Sequence, residues 1–143
     1  MYSALTVAGY IIKRCGDICS PVSNLKLQKL LYFVQAEFLV GTGEACFPED
    51  IEAWDFGPVV PVVYHKYKVY GSANIPYTSR GRRISVAGKN MERMNGIIDE
   101  CSKYSASQLV EITHHQAPWV DAYNPYQRNV ITKDSIKLYF QEG

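Results

Sequence analysis

Two adjoining stretches, NLKLQKLLYFVQAEF at Asn24–Phe38 and IEAWDFGPVVPVVY at Ile51–Tyr64, decide how this chain folds. In the first, Leu27, Leu30, Leu31, Val34 and Phe38 recur at the three- and four-residue steps that gather side chains on one face of an α-helix. Ser23 or Asn24 supplies the N-cap, and the Gly41-Thr-Gly43 segment gives the backbone freedom to stop, so the helix is expected over about Leu25 to Val40. Its opposite arc holds Lys26, Lys29 and Glu37 and is expected to face solvent. Phe33 and Val40 interrupt that polar arc, and two readings account for them. Either another helix of the domain covers them, or a partner does.

The second stretch alternates Ile51 and Ala53 with Glu52, Trp54 and Phe56, the period of a short strand that Gly57-Pro58 is expected to end. A helix then starts near Val59 with Pro61 in its first turn, where a missing N–H costs nothing. Val59, Val60, Val63, Tyr64, Tyr67 and Tyr70 sweep an arc wider than one neighbouring element needs, opposite His65 and Lys68.

Outward from this centre, Ser3–Cys19 reads as an amphipathic helix with Val7, Ala8, Ile11, Ile12, Cys15, Ile18 and Cys19 on its apolar arc. Gly9 and Gly16 lie on one flank, where another helix can approach. Toward the C-terminus, Arg82–Ala87 alternates weakly, and pairing with Ile51–Phe56 would satisfy both backbones. Lys89–Tyr104 is a helix with Met94, Ile97, Ile98 and Cys101 inward, and Ser105 with Gln108 forms a capping box opening a helix to about His114. Pro118 and Pro125 bracket a short piece with Trp119 and Tyr123, and Thr132 caps a last helix to about Gln141. The expected fold is mainly α (α+β), a compact bundle of about five to six helices with a small antiparallel β element. With no repeat or linker, residues 1–143 form a single domain.

Composition narrows the function. The chain is 47% hydrophobic and 20% charged with a net charge of +1, enough apolar side chains for a core and no global field to attract a phosphate backbone or an anionic surface. No run reaches the roughly 18 apolar residues of a membrane span. In Ala4–Ile12 the basic pair Lys13 and Arg14 follows the apolar stretch instead of preceding it, unlike a signal peptide, so a soluble, cytoplasmic protein is expected. Helix phase puts Cys15, Cys19 and Cys101 in apolar arcs, as small buried hydrophobes. Neither a disulfide nor a zinc site is expected. His114, His115 and Asp121 are the one imaginable acid/base group, yet adjacent helical histidines point about 100° apart, and no nucleophile elbow or phosphate loop is present. No catalytic, metal or cofactor residue is assigned. The basic cluster Arg80, Arg82 and Arg83 is either a solvated loop or a grip for phosphate or an acidic protein patch.

Lys26, Gln28, Lys29 and Tyr32, then Trp54, Phe56, Gly57, Pro58, Tyr64, Tyr67 and Gly71, in this order and spacing, resemble the SocA-like or Panacea antitoxin family, also known as phage-associated proteins. The likeness is dense from Lys26 to Gly71 and general in character from Ser72 to Gly143. It implies a prophage- or plasmid-borne antitoxin that neutralises a cognate protein toxin, among them translation inhibitors and alarmone-synthetase-like enzymes. One family member also acts as an adaptor handing its toxin to a bacterial protease. On this reading Phe33, Trp54, Phe56, Tyr64, Tyr67, Arg80, Arg82 and Arg83 are candidates for the toxin interface, while Lys26, Gln28, Lys29, Tyr32, Gly57, Pro58 and Gly71 are motif residues that build the fold. An adaptor or an undetected enzyme are the alternatives.

Overall fold

The computed structural model describes residues 1–77, 86 and 88–142. Helix α2 (Asn24–Gly41) runs through its middle, with α1 (Ala4–Asp17), α3 (Pro61–Tyr67), α4 (Lys89–Ser102), α5 (Ala106–His114) and α7 (Lys133–Glu142) packed around it. The short helix α6 (Ala117–Ala122) bridges α5 and α7. Ser23 caps α2 by accepting from the Lys26 N–H, and Leu27, Leu30, Leu31, Val34 and Phe38 are buried as their spacing predicts.

The polar arc of α2 is corrected in part: the Glu37 side chain is 41% exposed as expected, but Lys26 and Lys29 are buried. Lys29 and Gln35 are 0% exposed and Gln28 is 1% exposed, so the helix is enclosed on nearly every side. Burial of a polar group is tolerated only when it is hydrogen-bonded, and each of these side chains reaches a backbone group of a neighbouring segment. Lys29 Nζ donates to the Pro58 carbonyl at 3.0 Å, and Gln28 Oε1 accepts from the Val60 N–H at 2.9 Å. Gln35 Nε2 donates to the Phe47 carbonyl, and its Oε1 accepts from Cys46 N–H. Lys26 Nζ donates to the Ser102 carbonyl at the end of α4. Phe33 is also enclosed, edge-on to Tyr32 at 5.2 Å and to Phe140 of α7 at 6.1 Å. Of its two possible covers, the helix of the same domain is the one present, which removes Phe33 from any open face.

Gly57-Pro58 does not end the sheet. It begins the second strand of a hairpin: β1 (Ile51–Trp54) turns at Asp55 and Phe56 into antiparallel β2 (Gly57–Val59), with Trp54 opposite Gly57 and Glu52 opposite Val59. The other edge of β1 pairs with β3 (Val130–Ile131), a strand too short to carry a sequence period. Both edges of β1 are taken among the described residues, and the segment expected to pair with Ile51–Phe56 is Arg82–Ala87. Of that segment, all but Val86 lie outside the described residues.

Elsewhere the caps hold. Ser105 and Gln108 make both bonds of the capping box, Thr132 Oγ1 accepts from the Ser135 N–H, and Pro61 opens α3, which tightens into a 3-10 turn at Lys68–Tyr70. Helix α1 stops at Asp17, so Cys19 lies beyond it, exposed and with φ of 59°, instead of on the apolar arc. Gly16 is approached by the ring of Tyr77, not by a helix. The buried thiols are Cys15, Cys46 and Cys101, and burial pushes their pKa values up to about 11, 12 and 12, which favours the protonated form.

Gly57 has a φ of +106°, and a Cβ there would press on the Lys29 side chain and approach Thr113 Oγ1 at 3.0 Å. Both backbone and space therefore demand glycine at the point where β2 meets α2 and α5. Gly57→Val should lower unfolding free energy by about 1–3 kcal/mol. Denaturant unfolding measures it, and an unchanged midpoint would mean that the hairpin relaxes without cost.

Candidate protein-docking groove

The hairpin turn, the start of α2, the α3 segment and the loop at 123–128 enclose an open groove of ≈ 790 Å³. Trp54 forms its floor. Its Nε1 donates to Glu52 Oε1 at 2.9 Å, its carbonyl accepts from Trp119 Nε1 at 2.8 Å, and Tyr64 meets its ring edge-on at 4.9 Å. The Arg128 guanidinium lies 3.9 Å from the ring centroid, within cation–π range.

A second set of aromatic rings ties this floor to α5 and α6. Trp119 stacks between His114 at 4.1 Å and Tyr123 at 4.5 Å, and the Tyr123 hydroxyl donates to the Asp55 carboxylate at 2.5 Å. That hydrogen bond holds the Tyr123 hydroxyl above its ordinary pKa. Across the groove, Asn24 Nδ2 donates to the Tyr64 carbonyl, and Asn24 Oδ1 accepts from Gln28 Nε2, fixing α3 to the start of α2. In the loop, the Asn124 side chain accepts from the Tyr126 N–H and its carbonyl from the Gln127 N–H, a local turn that leaves Tyr126 93% exposed. Phe56, at the tip of the hairpin, is 66% exposed. Large apolar side chains so open to water on the walls of a concavity are the usual anchors of protein interfaces.

Three of the interface candidates read from sequence, Trp54, Phe56 and Tyr64, come together here. Tyr67 packs half-buried against the core beside Tyr70. Arg80, Arg82 and Arg83 lie outside the described residues. Among the motif residues, Gln28, Lys29, Gly57 and Pro58 join α2 to the hairpin, and the Tyr32 hydroxyl donates to Gln116 at the start of α6. Gly71 closes the 3-10 turn with φ of 58° and borders the groove. Sequence reasoning missed Asn124, Tyr126 and Arg128. The Asn124-Pro125 dipeptide is a turn signal that marks the loop, but nothing local pairs Arg128 with Trp54.

Of the three acid/base candidates, Asp121 is exposed on α6, and the two histidines have separate surroundings. His114 is stacked with its Nε2 buried and without a partner among the described residues, and His115 is exposed with Nδ1 at 2.8 Å from the Glu111 carbonyl. Among the described residues no group of three or more His, Cys, Asp or Glu side chains is placed to hold a metal ion, and no helix is long and apolar enough to cross a membrane.

Residues 27–120 match the protein family described as antitoxin SocA-like, Panacea domain. The chain is also similar to Antitoxin SocA of Caulobacter vibrioides (strain NA1000 / CB15N), at 35% identity over 131 residues covering 81% of this chain and 68% of that protein. No solved structure matches the chain.

Among the described residues of the matched stretch, Lys29 is the most perturbed cation. Burial disfavours its ammonium form and lowers its pKa from 10.5 to about 7. The unfolded chain keeps this proton up to about pH 10.5 and the folded chain releases it near 7. Between those values the unfolded state binds more protons, so stability rises with pH, while below about 7 both states are charged and the full penalty applies. Lys29→Met abolishes this dependence and leaves the Pro58 carbonyl without its donor, a cost of about 1–3 kcal/mol. Urea unfolding from pH 6.5 to 9.5 should show the native chain gaining stability relative to Lys29→Met as pH rises; parallel curves would contradict a lysine buried neutral.

Proposed function

We propose that this chain, which belongs to the antitoxin SocA-like family of Panacea-domain proteins, neutralises a cognate protein toxin by binding it directly. The observation that carries the reading is the open groove walled by exposed Phe56 and Tyr126 over the Trp54 floor. Its side chains suit burial against another protein, because an aromatic anchor gains apolar contact at the loss of only two rotatable angles. The action proposed is occupancy of the toxin, without turnover and without a cofactor, in the bacterial cytoplasm. The partner is a protein toxin, with translation inhibitors and alarmone-synthetase-like enzymes the kinds that the family resemblance suggests.

The test co-expresses the chain with the toxin gene that neighbours its own. Growth should be restored, the two proteins should co-elute on size exclusion, and the toxin should keep its abundance and its mass. Restored growth with protease-dependent disappearance of the toxin would replace neutralisation by delivery to a protease. Restored growth with no complex and a chemically altered toxin would make the chain an enzyme.

A further inference from the structure

The charges around the groove are unequal. Lys68 and Arg128 line it against one carboxylate, Asp55. Asp55 already accepts the Tyr123 hydroxyl, and Glu52, behind the floor, accepts the indole N–H of Trp54. Neither cation has a carboxylate partner among the described residues: Lys68 Nζ is 3.4 Å from His65 Nδ1, and Arg128 lies on the Trp54 ring. Stacking leaves the edge of a guanidinium free, and Arg128 is thereby held with its N–H fork available for the paired oxygens of a carboxylate.

Resting on the antitoxin reading, we propose that this groove docks an acidic segment of the toxin, with an apolar or aromatic side chain seated against Phe56, Tyr126 and Trp54 and a carboxylate against Lys68 and Arg128. The alternative anion, a nucleic-acid backbone, fits less well. Its affinity comes from releasing counterions at many phosphates, whereas the groove offers two cations on a chain of net charge +1. An acidic protein segment needs only one or two carboxylates, and it also uses the exposed aromatic walls, which a backbone phosphate leaves wet.

The experiment titrates the full toxin from the neighbouring gene, overlapping peptides that tile it, and an oligothymidylate as the nucleic-acid probe. Phe56→Ala and the double variant Lys68→Gln, Arg128→Gln should each bind the toxin about tenfold or more weakly while melting like the native chain. The deficit of the double variant should shrink at high salt, since the lost attraction is screened. Leu138→Ala, which trims an apolar side chain 58% exposed on α7, should bind as the native chain does. The peptides retained should carry Asp or Glu beside an apolar residue. Full-strength binding by the groove variants together with loss in Leu138→Ala would overturn the docking site and leave the antitoxin reading standing. Retention of the oligothymidylate, lost in the double variant, with no acidic peptide retained would make the groove a nucleic-acid surface. Absence of any complex between the native chain and the toxin would overturn both.

Discussion

The structure depends on a helix that is buried almost all round and still carries lysine and glutamine on its inward faces. Where an enclosed helix meets a hairpin or a connecting segment, it faces backbone carbonyls and N–H groups that need a partner, and each left unpaired costs about 1–3 kcal/mol. Helix α2 meets this demand with side chains. Lys29 takes the Pro58 carbonyl, Gln28 the Val60 N–H, and Gln35 both the Phe47 carbonyl and the Cys46 N–H. Leucines at these positions would bury more apolar area and leave the hairpin and the segment before it without anchors. The desolvation that lowers the Lys29 pKa is the cost of that arrangement, and it falls on the residue nearest the glycine whose missing Cβ makes room for it.

From this anchor the groove follows. Fixing Pro58 and Val60 fixes β2, whose pairing with β1 sets Trp54 opposite Gly57 and leaves Asp55 and Phe56 to turn outward. Trp119 and Tyr123 then hold the hairpin from the other side, one bonded to the Trp54 carbonyl and one to the Asp55 carboxylate. Phe56 is thus exposed on a support of hydrogen bonds, buried at Lys29 and Gln28, part-buried at Trp119 and exposed at Tyr123. A side chain presented this way loses little further freedom when a partner covers it, which favours binding.

How much of this was legible in the sequence varies with the range of the signal. Helix ends were readable because caps are local: Ser105 with Gln108, Thr132, and Pro61 at the first turn of α3 all act where they stand. The buried lysine was not, since a 3.6-residue period assigns Lys29 to water and cannot see a carbonyl supplied by another segment. Gly57-Pro58 reads as punctuation in either case, but whether it ends a strand or opens the next one depends on the Trp54–Gly57 pairing and on the room Lys29 requires. At the groove, Trp54, Phe56 and Tyr64 stood among the interface candidates that the family resemblance implies. Phe33 stood out by interrupting a polar arc, and of its two readings the core one holds, through a helix at the far end of the chain that no local pattern relates to it. The Arg128–Trp54 stack and the Asp55–Tyr123 bond join positions that no local pattern relates.

The central claim is that one face, built on the α2-anchored hairpin, meets the partner. Amide hydrogen exchange of the chain alone and with its toxin reads this face by face. The account predicts added protection at Trp54–Phe56, through the α3 segment near Tyr64 to Lys68 and in the loop from Tyr123 to Arg128, with α7 unchanged. Protection confined to α4 or α7, with the hairpin and the 123–128 loop exchanging as before, would contradict it.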